Sequence, residues 1–337
     1  MAPPPVAAGR LLPALALAAA LALPFLAPGY YVQFASKVLL IGIAAMALNL
    51  VVGFGGLVSL CHAALFGLAG YGLALLSPKY DPAPVLTTLP LAVAGSAIAA
   101  LLIGALCLRT RGIYFIMVTL AFGEMLFFLF HDTAIGGGSD GAFIYVKPEI
   151  VLFGWKPVDL EKPAQFYFTA LALTLATILL LRAIVASPFG RALAAARDNE
   201  RRARSLGFPV YRIRLTAFVI SGALAGVAGY FTAAQFGFVA PQMLGWHLSA
   251  LLLVMVVLGG MGSVTGPLVG AFALLGIEEA LKSTTEHWKL IEGLIVILVV
   301  LTLPGGLRQL AAMVALPAKE RAPTPPPAPV APEAGHG

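Results

Sequence analysis

Charge is scarce in this sequence. Only 11% of its 337 residues are Asp, Glu, Lys or Arg, against about 25% in a typical soluble domain. That shortage excludes a soluble globular enzyme and a disordered chain. Cysteine is almost missing as well. Cys61 and Cys107 are the whole complement, and both lie inside apolar runs, so no disulfide framework is expected. The net charge of +6 does not mark a nucleic-acid-binding domain, because the basic residues are spaced between apolar runs and form no single stripe.

Apolar residues, by contrast, make up 60% of the chain, and there are 36 glycines. A bilayer-crossing helix needs about 20 apolar residues, so this length holds about ten spans with short loops. The expected fold is an all-α, polytopic integral membrane bundle with about 8–10 membrane segments. Apolar runs place them near 11–28, 37–53, 54–76, 85–107, 112–130, 165–185, 215–236, 247–262, 263–281 and 288–304. Two regions should be broken or re-entrant. Gly53, Gly55, Gly56, Gly67, Gly70 and Gly72 crowd the third segment, and Gly259-Gly260-Met261-Gly262-Ser263 followed by Gly266-Pro267 divides the eighth from the ninth. Broken backbone in a membrane is tolerated only beside protein or a water-filled cavity. Interruptions placed similarly in two halves of a transporter point to a pathway; tight helix packing explains such glycines equally well.

Arg10 and the run Leu11–Ala27 fit a first span better than a signal peptide, because no small-x-small cleavage site follows and further apolar segments do. Ten crossings from a cytoplasmic N-terminus put Arg10, Arg109, Arg111, the eight arginines from Arg182 to Arg214, Arg308, Lys319 and Arg321 inside. Lys37, Lys79, Lys147, Lys156, Lys162, Lys282 and Lys289 fall outside. This two-to-one bias satisfies the positive-inside rule with both termini cytoplasmic. The expected organisation is an N-terminal segment and first span over 1–36, a transmembrane domain over 37–316, and a disordered Pro/Ala-rich tail over 317–337. An outer loop covers 131–164 and the main cytoplasmic loop covers 186–214.

That cytoplasmic loop carries structural punctuation. Ser187 before Pro188 suits a helix start. Asp198 or Asn199 can cap a second short helix running to Leu206, with Gly207 as its stop and Pro209 beyond it. A basic inner loop serves topology without further function, but topology does not require caps and stops. Gly222-x-x-x-Gly226 and Ala225-x-x-x-Gly229, on the next helix, mark a close-packing face.

Charged or reactive side chains elsewhere are few. Glu124 sits deep in an apolar run, where a carboxylate needs a partner or a cavity. It reads either as a pathway or gate residue or as a hydrogen-bonding partner of a neighbouring helix, through Ser59, Thr119 or His62. Glu292 reads as interfacial. His62 and Cys61 are too few for a metal site, and no catalytic constellation is evident. The nearest approach to a phosphate-binding loop, Gly276 to Ser283, lacks the second glycine and follows a membrane segment. No cofactor is therefore expected on this chain.

Several stretches together carry a family resemblance: Asn49 to Gly67, with Cys61 where glycine is usual; Arg111 to Met125; Gly137 to Gly141; Ser187 to Gly226; and Gly259 to Pro267. Over roughly 40–305 the chain resembles branched-chain amino acid ABC transporter permeases of the LivM type. The resemblance implies the permease subunit of an inner-membrane importer of branched-chain or other hydrophobic amino acids. Its implied partners are a second, related permease, two ATP-binding subunits that carry the ATP, and a periplasmic solute-binding protein. Related permeases also serve urea and short amides. From another class, an ion-coupled secondary transporter would use Glu124 as its coupling group. The resemblance makes 187–209 the element that docks on an ATPase, with Arg191, Arg197, Asp198, Glu200, Arg201, Arg202 and Gly207 as its candidate residues. Ala194-Ala195-Ala196 and Gly207 are similar to part of the importers' EAA…G pattern. Gly55, Gly56, Ser59, His62, Glu124, Gly259, Gly260 and Ser263 are the candidate pathway residues.

Overall fold

A computed structural model describes residues 8–152, 155–282, 284–302 and 306–307. The expected tail 317–337 lies outside the described residues, as do Arg308, Lys319 and Arg321. The chain is a bundle of helices in the order α1 (Ala8–Leu26), α2 (Gly29–Asn49), α3 (His62–Leu76), α4 (Val85–Cys107), α5 (Ile113–His131), α6 (Pro163–Ala186), α7 (Pro188–Asp198), α8 (Glu200–Ser205), α9 (Val210–Phe236), α10 (Trp246–Gly259), α11 (Gly266–Lys282) and α12 (Trp288–Thr302). Each expected apolar segment contains a helix. Six spans among the described residues are long and apolar enough to cross a bilayer.

One boundary differs from expectation. α2 begins at Gly29 and continues through a wide π-helical turn, Leu50–Phe54. The expected boundary at 36/37 therefore falls inside this helix, and Lys37 lies two turns within it instead of at its start. A lysine there lies within snorkelling reach of the membrane surface. The segment 54–76 is broken, as its glycines predict: residues 55–61 are non-helical and α3 starts at His62. Likewise α10 and α11, of 14 and 17 residues, stop short on either side of 260–265. With the short turn that precedes it, α10 belongs to the span Pro241–Gly259, of 19 residues, one of the six.

α2 and α9 occupy the centre. α2 is apolar on every side, as a helix buried all round must be, and Val38 to Val52 are all buried within it and its wide turn. α9 turns its small-residue face to α3 and α4. A side chain at Gly229 would strike the Phe66 carbonyl of α3, and one at Gly226 would lie 2.9 Å from Ser96 of α4. The expected close-packing face is thus used within the chain. α4, α5 and α6 surround this centre with largely exposed apolar flanks.

Contacts sort the helix ends into two sets. At one end, β1 (Ala142–Phe143) pairs antiparallel with β4 (Phe238–Val239), Ala142 opposite Val239. There too Val85 N donates to Glu149 O at 2.9 Å, and Tyr30 of α2 hydrogen-bonds Glu279 of α11. The loop between α5 and α6 also holds a second pair, β2 (Ile150–Leu152) with β3 (Trp155–Val158). At the opposite end lie 53–61, 108–112, 187–209 and 260–265. Arg111 pairs there with Glu200 at 3.2 Å, and Arg197 reaches the Gly53 carbonyl.

Candidate functional site

The loop after α6 folds as its punctuation predicts. Ser187 caps α7, its Oγ accepting from Gly190 N at 3.3 Å. Of the two candidate caps for α8, the structure uses Asn199, whose Oδ1 accepts from Arg202 N at 2.9 Å. Asp198 instead accepts from Arg197 Nε at 2.9 Å. Gly207 ends the element at φ +84°, and a side-chain carbon added there would meet nothing within 4 Å. The last five residues of the expected loop, 210–214, already belong to α9.

Three buried alanines and Leu193 seat the loop against the bundle, and α7 carries the decisive contact. Arg197 Nη1 donates to the Gly53 carbonyl at 2.7 Å. This acceptor lies in the wide turn at the end of α2. A π-helical turn departs from the regular i−4 pattern and is frequent at functional sites. Gly56 next to it has φ +68°, and a side chain there would meet Arg197 Cγ at 2.6 Å. Only glycine satisfies both constraints. Gly55 lies over Leu193. The expected pathway residues Gly55 and Gly56 therefore meet the loop 187–209 directly.

One turn earlier, Asn49 joins the first break to the second. It is 1% exposed. Its Nδ2 donates to Ser263 O at 2.8 Å, and its Oδ1 accepts from Gly262 N at 3.3 Å. The side-chain amide thus pairs with the broken backbone as a peptide would, supplying partners that the break removed. Ser263 Oγ in turn accepts from Gly266 N at 3.2 Å, at the start of α11. Gly260 and Gly262 take φ values of +103° and +76°. At Gly259 the α10 backbone lies directly against Gly266. Gly259, Gly260 and Ser263 are therefore brought to the same place as Gly53 and Arg197.

Ser59 and His62 form a separate cluster, and both are fully buried. Ser221 of α9 gives its hydroxyl proton to Ala47 O at 2.5 Å. It must then accept from His62 Nε2, 2.8 Å away. That leaves Nδ1 to accept from Ser59 Oγ at 3.1 Å. The histidine ties the first break to α2 and α9. Among the described residues no group of three or more His, Cys, Asp or Glu is placed to hold a metal.

Glu124 stands apart from both clusters. Its partner is none of Ser59, Thr119 or His62. Oε1 accepts from Trp246 N at 3.2 Å, the first residue of α10. That turn has no side-chain cap of its own, and a carboxylate at a helix N-terminus meets both the free N–H groups and the positive end of the dipole. Thr119 receives Leu60 N at 3.3 Å instead.

Arg191 bonds the Ala186 carbonyl at 3.3 Å. Arg201 and Arg202 are exposed and have no ion pair among the described residues. Glu200 is the loop's electrostatic anchor. Arg214 Nη1 is 3.0 Å and Arg204 Nη2 2.5 Å from its carboxylate, besides Arg111. Partial burial pushes this carboxyl up, but the three arginines outweigh burial and hold it below its ordinary range.

Asn49, Ser221, Arg111 and Arg214 escaped the sequence reading as site residues. A signal for Asn49 was present, since it is the one polar side chain between Val38 and Val52 and a lone polar group in an apolar span needs a partner.

Comparison with known proteins agrees with the architecture. Residues 30–300 match a family profile described as the permease component of branched-chain amino acid transport systems. The chain is 35% identical over 310 residues to the high-affinity branched-chain amino acid transport system permease protein LivM of Salmonella typhimurium, covering 86% of this chain and 73% of that protein. Identity to LivM of Escherichia coli is 34% over 310 residues, with the same coverage. LivH of Escherichia coli, a permease protein of the same kind of system, is 35% identical over 124 residues, 36% of this chain and 40% of LivH. No solved structure matches significantly.

Proposed function

Because the chain belongs to the family of branched-chain amino acid transport permease components, we propose that it is the membrane-spanning subunit of an importer that carries branched-chain or other hydrophobic amino acids into the cytoplasm. Similarity to LivM over most of both chains supports this substrate class. The chain is a multi-pass membrane protein and a permease subunit of an ABC importer. In this reading it sits in a bacterial inner membrane with both termini in the cytoplasm. It pairs with a second permease of the LivH kind and receives solute from a periplasmic binding protein. Two separate ATP-binding subunits supply the energy.

One observation carries the mechanism: the hydrogen bond from Arg197 to Gly53 fastens the inner loop to the first break. In the proposed cycle, α7 and α8 rest on an ATPase subunit. ATP binding draws the ATPases together and moves both short helices. Arg197 passes that displacement to the end of α2, and Asn49 passes it to 260–265. The two breaks bend because their backbones lack continuous helical hydrogen bonding, and the solute path changes sides.

The test is uptake of labelled leucine into proteoliposomes holding this chain, its partner permease, the ATPases and the binding protein. Uptake that requires ATP on the side bearing the ATPases, and no ion gradient, is expected. Uptake driven by a proton or sodium gradient without ATP would overturn the reading.

A further inference from the structure

Three arginines converge on one carboxylate at the inner end of the bundle, and a fourth lines the same cavity. Glu200 is bonded by Arg111, Arg204 and Arg214. Arg109 joins them on the wall of a cavity of about 300 Å³ and has no ion pair among the described residues. Four arginines and one carboxylate on this wall leave a marked local surplus of positive charge.

Hydrogen-bond capacity is in surplus as well. Each guanidinium offers five N–H donors in a planar fork. Arg111 and Arg204 each place a single terminal nitrogen on Glu200. Arg214 uses Nη1 on Glu200 and Nη2 on the Ala196 carbonyl at 3.1 Å, and its Nε is buried without any partner. A buried donor left unpaired is costly, and Arg214 carries one at the wall of this cavity. Val210 and Tyr211, in the first turn of α9, complete the cavity. That turn has neither an acidic residue nor a side-chain cap; Val210 N already donates to Phe208 O at 2.9 Å, and the helix dipole there favours negative charge.

We propose that this cavity binds a phosphate-bearing anion at the inner membrane surface, held by Arg109, Arg111, Arg204 and Arg214. Glu200 is the positioning residue, keeping three of the guanidiniums convergent. Phosphate oxygens match the guanidinium fork and form charge-assisted pairs with it. Two sources share this chemistry: the headgroup of an anionic phospholipid and free phosphate. The place favours the lipid, because the cavity lies at the inner ends of α4 and α9. Beside Arg111, Ile113 and Tyr114 at the start of α5 are 63% and 71% exposed, an apolar surface on which an acyl chain can lie.

The experiment measures binding to the full-length chain purified in detergent, by native mass spectrometry and by thermal shift. The probes are short-chain phosphatidylglycerol, short-chain phosphatidylcholine and sodium phosphate. The variants are Arg109→Gln with Arg111→Gln, the same pair changed to Lys, and Arg182→Gln as a basic control outside the cavity. Phosphatidylglycerol should bind the native chain at least tenfold more tightly than phosphatidylcholine. The double Gln variant should lose that preference, the double Lys variant should keep part of it, and Arg182→Gln should keep all of it. Competition by free phosphate at millimolar concentration, with no preference for either lipid, assigns the site to the free ion. Phosphatidylglycerol binding that the double Gln variant does not weaken overturns the proposal. So does binding of neither anion above the phosphatidylcholine level. If the double Gln variant does not fold, the Lys pair and the phosphate competition decide between the same outcomes. None of these readouts involves transport, so the proposal can fail while the importer reading stands.

Discussion

Arg197 Nη1 and the carbonyl oxygen of Gly53, 144 residues apart in sequence, lie 2.7 Å from each other. A charged hydrogen bond of this kind is worth roughly 1.5–3 kcal/mol. It connects the loop 187–209 directly to the first broken segment. Arg197→Ala should leave membrane insertion and ATPase association intact and lower leucine uptake about tenfold, the rate equivalent of about 1.4 kcal/mol. Arg197→Lys restores a donor without the fork, so it should recover part of the uptake. Uptake per ATP hydrolysed, measured in proteoliposomes, separates lost coupling from lost assembly. Unchanged uptake in the Ala variant removes Arg197 from the mechanism.

Gly207 is held at φ +84° in open space. Strain is therefore the whole cost of a substitution there, and a left-handed conformation costs an ordinary L-residue about 1–2 kcal/mol. Gly207→Val should weaken co-purification of the ATPase subunits, and Gly207→Asn, which tolerates this region, should be much milder. Changing both Arg201 and Arg202 to Ala removes two exposed charges and leaves the helix caps alone. If all three variants hold the ATPases and transport fully, docking lies elsewhere on the inner face.

Glu124 acts here as the cap of α10. Glu124→Gln keeps an acceptor oxygen and should preserve ATP-driven uptake. Glu124→Ala leaves the helix end uncapped, a loss of about 1 kcal/mol, which a thermal melt of the purified chain will register as a lower midpoint. Loss of transport in the Gln variant would instead indicate that the carboxylate must bind and release an ion.

The loop should loosen in acid, and the sign follows from Glu200. Its carboxyl is held below the ordinary range in the folded protein by Arg214, Arg111 and Arg204, against the upward push of burial. A depressed carboxylate contributes stability that is complete above its unfolded value, about 4.3, and is lost as pH falls through its folded value. Protease cleavage within 187–209 should therefore be constant from about pH 7 to pH 5 and rise only in stronger acid. In Glu200→Gln the cleavage should already be faster at pH 7.

Sidedness is open to a direct test. Residue 140 lies at the end of the bundle that holds the small strands, and residue 200 at the end that holds the short helices. Reporter fusions at the two positions should report opposite compartments, with residue 200 in the cytoplasm. The same compartment for both would contradict the segment count.

Apolar periodicity and glycine placement determined, without any coordinates, that this is a bundle of membrane helices with two interruptions and a capped loop over 187–209. Those features are local. A run of apolar residues favours a helix in lipid whatever its neighbours are, and Ser187, Asn199 and Gly207 act within one turn of themselves. The tertiary structure decided what the interruptions touch. Asn49 finds Ser263, Arg197 finds Gly53, and Glu124 finds Trp246 N, across separations of 214, 144 and 122 residues. The acceptors or donors on the far side are backbone atoms, which every residue carries. The sequence therefore marks only one half of each pair. Which backbone group becomes the partner depends on where a helix stops and which turn faces it, and packing alone settles that.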